Sequence, residues 1–109
     1  MNCNFEALYF GNNGYVIRCT HCGYYQFCYL TTLLTLTDVD FKHLLKAVTY
    51  KCNDTDYNTH GYGKSIIIPT PSAGFNLIFT KAEADEFLQI LEEADSEVKV
   101  QQMLKLFEE

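Results

Sequence analysis

The run Arg18-Cys19-Thr20-His21-Cys22-Gly23 sets a Cys-x-x-Cys-Gly turn between two aromatic-rich stretches, residues 15–19 and 24–30, and it decides how the rest of the chain is read. Each flank has the β-branched and aromatic content of a strand, and the glycine relieves the backbone where the chain reverses. The turn is therefore expected to join two antiparallel strands and to hold two thiols side by side.

Working outward, residues 6–10 and 15–19 flank Gly11-Asn12-Asn13-Gly14, a four-residue turn of residue types that tolerate unusual backbone angles. A strand over residues 33–36 follows a short Thr31-Thr32 connection, completing a four-stranded meander. Thr37 stands as an N-cap before acidic Asp40. Phe41, Leu44, Leu45 and Val48 then recur at helical spacing, predicting an amphipathic helix to about Tyr50. Residues 51–63 lack apolar periodicity and are dense in turn formers, so a long loop is expected there.

A β-branched run at 65–68 stops at Pro69-Thr70-Pro71, and Phe75, Leu77 and Phe79 alternate with Asn76, Ile78 and Thr80, which predicts a second hairpin. Three successive isoleucines, Ile66, Ile67 and Ile68, imply burial on both faces. Thr80 with Glu83 forms a capping box opening a helix whose Phe87, Ile90, Leu91 and Ala94 share a face. Asp95-Ser96 is a place for a break or bend, after which Val100, Met103, Leu104 and Phe107 continue the spacing. The fold class is thus α+β, ββββα-ββ-αα, with one or two C-terminal helices, in a single domain over residues 1–109.

Hydrophobic content of 48% and sixteen Tyr and Phe residues indicate a folded globule. Residues 1–15 lack the basic start and apolar run of a secretory signal, so the cytoplasm is expected, and no apolar stretch is long enough to span a membrane. In a reducing compartment a close cysteine pair is more often a metal or redox site than a disulfide. The net charge of −6 arises in the C-terminal segment, where residues 81–109 carry three basic and nine acidic groups. With a single arginine and no basic cluster, nucleic-acid binding is not expected.

Zinc takes four tetrahedral ligands, and Cys19 and Cys22 would supply two. If Phe10 pairs with Tyr15 and pairing runs unbroken, opposite residues sum to 25 and Cys3 falls opposite Cys22, a third ligand. Cys28 lies five to six residues up the third strand, about 16–20 Å from the knuckle at ~3.3 Å per residue, and is read as a core thiol. For the fourth ligand His60 and Cys52 rank above His21, giving the metal set Cys3, Cys19, Cys22 and His60; His43 lies on the first helix. The plain alternative is two thiols at a hairpin end. An exchange-tuned dithiol usually has its first Cys at a helix N-terminus, whereas a strand is expected here. Asp54, Asp56 and Asn58 alternate as in a calcium loop but lack its later residues.

The run from Asn13 to Phe27, then Thr31 to Leu36, Ile68-Pro69-Thr70 and Phe75-Asn76-Leu77 before an acidic helix, resembles a family of short bacterial proteins of unknown function. The resemblance covers most of the chain and implies an N-terminal cysteine with one Cys-x-x-Cys, matched by Cys3, Cys19 and Cys22. It brings no activity. With no Ser-His-Asp set, phosphate loop or carboxylate pair in view, the expected role is a non-catalytic interaction or regulatory module with a structural zinc knuckle and an unidentified protein partner. A small thiol- or metal-dependent enzyme or redox protein is the alternative. The stripe Val100, Met103, Leu104 and Phe107 further suggests a homodimer, against docking on the chain's own sheet.

Overall fold

A computed structural model describes residues 4–53 and 66–107. The chain is α+β. Its described elements are strands β1 (Phe5–Phe10), β2 (Gly14–Cys19), β3 (Tyr25–Tyr29) and β4 (Thr32–Leu36), helix α1 (Asp38–Asn53), strands β5 (Ile66–Pro69) and β6 (Asn76–Phe79), and helix α2 (Lys81–Leu106). These residues fall into two compact units. One combines Met1–Asp38 with Ile90–Glu109, and the other is Val39–Gln89.

In the first unit β1 to β4 form an antiparallel meander in chain order. The predicted Gly11–Gly14 turn is closed by the Gly11 N–H donating to the Gly14 carbonyl at 3.0 Å, and Phe10 pairs with Tyr15 as expected. Val16 pairs with Phe27, and Phe27 with Leu34. Side chains two apart share a face, so Val16, Tyr25, Phe27, Tyr29 and Leu36 form one buried layer. Ile90, Leu91, Ala94 and Val98 on α2 are buried in the same unit, the three larger side chains each worth about 1.5–3 kcal/mol when fully removed from water. Beyond them Val100, Met103, Leu104 and Phe107 are exposed, Phe107 by 80%, so this stripe is not docked on described residues of the chain's own sheet.

The register does not run unbroken. Tyr9 pairs with Val16, but Ala7 pairs with Ile17 and Phe5 with Cys19, leaving Leu8 as an extra, buried residue in a bulge. Beyond it partners are displaced by one. The expectation that set Cys3 opposite Cys22 assumed no such shift; Cys3 itself lies outside the described residues.

In the second unit α1 buries Phe41, Leu44 and Val48, while Leu45 is only half-buried. β5 pairs with β6, and Ile66, Ile68, Leu77 and Phe79 are buried while Ile67 is 51% exposed. Burial of three successive isoleucines on both faces is therefore corrected to ordinary alternation: a two-stranded ribbon has one face packed and one open. The ring of Phe79 lies 5.2 Å from that of Phe87. The capping box forms as read, the Thr80 N–H donating to Glu83 Oε1 at 2.9 Å and the Glu83 N–H to Thr80 Oγ1 at 3.1 Å.

Helix α2 then continues without interruption for 26 residues. Asp95-Ser96 does not break it; the half-buried Asp95 pairs with Lys99 one turn on at 3.0 Å, an i,i+4 contact that supports the helix there. No helix among the described residues is long and apolar enough to cross a membrane.

Candidate functional site

The candidate site begins where β2 ends. Cys19 donates its backbone N–H to the Tyr24 carbonyl at 2.9 Å, and Gly23 donates back to the Cys19 carbonyl at 2.9 Å. These two bonds close the Cys-x-x-Cys-Gly loop. Gly23 has φ +82°, in the left-handed region that glycine reaches without penalty. Thr20 ties the loop to the chain entering β1, its N–H donating to the Asn4 carbonyl at 2.8 Å and its hydroxyl to the same oxygen at 3.0 Å.

Within the loop the Cys22 N–H donates to Cys19 Sγ at 3.4 Å. The loop backbone thus donates to the first sulfur of the pair. Cys19 is buried and Cys22 exposed. Of the predicted metal set, Cys19 and Cys22 are brought together, whereas Cys3 and His60 lie outside the described residues. His21 is exposed within the turn. Cys28 sits mid-strand between Tyr15 and Leu33 and is half-buried, while Cys52 lies in the last turn of α1, its carbonyl accepting from Lys81 Nζ at 3.1 Å. Among the described residues no three His, Cys, Asp or Glu side chains form a metal-holding group.

Beside the knuckle stands a polar cluster that sequence reasoning missed. Arg18 pairs with Tyr25 across the hairpin, and its guanidinium carbon lies 5.5 Å from the Tyr25 ring centroid, a cation–π contact. The buried Tyr25 hydroxyl donates to Asp38 Oδ1 at 3.0 Å. Burial chiefly, then the hydrogen bond to Asp38, push the Tyr25 phenol up to about 12, with Arg18 pulling the other way and the charges of Asp38 and Asp95 adding to the rise. The Arg18–Tyr25 half of this cluster was available in principle. Once Cys19 and Tyr24 close the loop, antiparallel pairing places Arg18 opposite Tyr25. Nothing local marks Asp38 as their neighbour.

A family model described as a family of unknown function (DUF6686) matches residues 1–108. The chain belongs to this family. No curated protein and no solved structure matches it. Membership in DUF6686 covers the knuckle and the Arg18–Tyr25–Asp38 cluster alike, and it assigns no activity to either.

Proposed function

We propose that this DUF6686 chain is a non-catalytic interaction module whose Cys19–Cys22 turn is stapled by zinc, with Cys3 and His60 completing the ligand set. The observation that supports it is the N–H···S bond from Cys22 to Cys19 inside a loop opened by a left-handed glycine. That geometry holds the first sulfur against the backbone of the second cysteine, and a structural zinc site adds folding free energy directly. Strand β3, not a helix, follows Cys22, which gives no helix N-terminus to activate a dithiol for exchange and disfavours the thiol-enzyme or redox alternative.

The surface offered to a partner is the exposed stripe Val100, Met103, Leu104 and Phe107. A second copy fits it. Antiparallel pairing sets Val100 opposite Phe107, Met103 opposite Leu104 and Lys105 opposite Gln102, whereas parallel pairing would stack Lys99 on Lys99 and Lys105 on Lys105.

Metal analysis of the purified chain should find one zinc per chain, lost in Cys19→Ser and Cys22→Ser and reduced in Cys3→Ser and His60→Ala. Clearly substoichiometric zinc with no affinity on re-addition would overturn the staple. Light scattering should give a dimer that Met103→Glu dissociates while far-ultraviolet circular dichroism is unchanged. A monomer at every concentration would remove the second copy as partner.

A further inference from the structure

Arg18 is the only arginine in the chain. Its Nε is buried with no acceptor, and among the described residues its guanidinium takes part in no salt bridge. A guanidinium shielded from water on one side without an anion is costly unless something else supplies the acceptor. The group is also held in place: its backbone is fixed in the β2–β3 ladder and its plane rests near the Tyr25 ring, which Asp38 in turn anchors.

Arg18 lines an open hollow of ≈ 330 Å³ with Cys22, Gly23, Tyr24, Thr37 and Asp38. The half-exposed Tyr24 ring forms its rim. The hollow thus presents one fixed cation and one carboxylate. A guanidinium fork matches the two oxygens of a carboxylate in plane. The neighbouring Asp38 repels a doubly charged phosphate more than a singly charged group, and it can accept from an N–H on the same ligand.

We propose that this hollow binds a carboxylate with an N–H on the adjacent carbon, the group shared by free amino acids and by the C-terminus of a peptide. Arg18 holds the carboxylate, Asp38 receives the N–H, and Tyr24 covers the ligand. The proposal goes beyond the zinc-stapled module and does not depend on the stripe of α2.

The test is an NMR titration of the full chain with glycine, N-acetylglycine, N-methylacetamide and inorganic phosphate as separate probes. Saturable shifts centred on Arg18 Nε–H, Gly23 and Tyr24 are expected with a carboxylate probe and not with N-methylacetamide. N-Acetylglycine alone would indicate a peptide terminus, and glycine alone a free amino acid. Arg18→Gln should weaken binding by about tenfold or more, the loss of charge-assisted hydrogen bonds. Should that variant fail to fold, Arg18→Lys, which keeps the charge and loses the fork, and Tyr24→Ala at the rim should each weaken it severalfold. No saturable shift with either carboxylate, tighter binding of phosphate, or affinity unchanged in the folded Arg18 variant would overturn the proposal. Zinc content is measured alongside and is expected to be the same in Arg18→Gln as in the parent, so failure here is distinct from failure of the staple.

Discussion

Strand β2 begins and ends on a glycine-dependent turn, and the two glycines are needed for opposite reasons. Gly14 has no unusual φ, but a Cβ there would run into the Cys28 carbonyl oxygen, so the position requires absence of a side chain. Gly23 has open space around its Cβ position but a φ of +82°, so it requires freedom of the backbone. At the Gly14 end the neighbouring hairpin turns through Leu30, at φ 54°, a conformation that glycine would hold more cheaply. One end of the sheet is limited by space. The knuckle end is limited by backbone conformation and carries the thiols, the cation and the buried phenol.

The largest test of this contrast is Gly14→Ala. Backbone blocks the added methyl, so β2 and β3 must part, and urea unfolding should show a loss of about 3 kcal/mol. A loss below ~1 kcal/mol would show that the ladder yields readily and that space is not what limits this end. Next comes alkaline titration of the knuckle end. Tyr25 stands at about 12 in the folded chain against about 10 when unfolded. The folded state therefore holds the proton more tightly. Its contribution is fully present below about pH 10 and is lost as pH rises through about 12, at most about 2.7 kcal/mol in all. Tyr25→Phe should flatten that part of the pH–stability curve, and a curve unchanged by the substitution would place the effect elsewhere.

Gly23→Ala should cost about 1 kcal/mol in the metal-depleted chain, the strain of a left-handed alanine with nothing to clash against. If the cost is larger in the zinc-loaded chain than in the depleted one, the loop conformation and the metal are coupled. The smallest effect is a gain: Leu30→Gly should relieve strain and stabilise by less than ~1 kcal/mol, part of the relief being offset by the greater entropy of an unfolded glycine.

These tests fall on features of unequal visibility in the sequence. The meander, the capping box of α2 and the pairing of Phe10 with Tyr15 were legible, because turn residues and hydrophobic period are local signals. The Leu8 bulge was not, since an extra residue in a strand leaves the alternation on either side looking regular, and it shifts a register that the placement of Cys3 had assumed unbroken. Ile67 misled for a related reason: three isoleucines state an appetite for burial but not how many layers are available to satisfy it. Asp95-Ser96 read as a place for a break or a bend, yet the helix runs through it and the half-buried Asp95 gains a lysine one turn away. Of the site, Cys19 and Cys22 declared themselves by spacing. Arg18 was partly legible through the hairpin it belongs to, and Asp38, first residue of α1, became a partner of Tyr25 only through tertiary structure.

The division of α2 has a consequence for synthesis. Residues Val39–Gln89 form a contiguous unit, whereas the unit containing the meander is assembled from Met1–Asp38 and Ile90–Glu109. On a ribosome the four strands emerge first, but their buried layer of Val16, Tyr25 and Phe27 cannot be completed until Ile90, Leu91, Ala94 and Val98 have been made. The stretch whose unit is completed last is therefore the one carrying Cys19 and Cys22, and the wait is set by the time needed to translate the intervening segment.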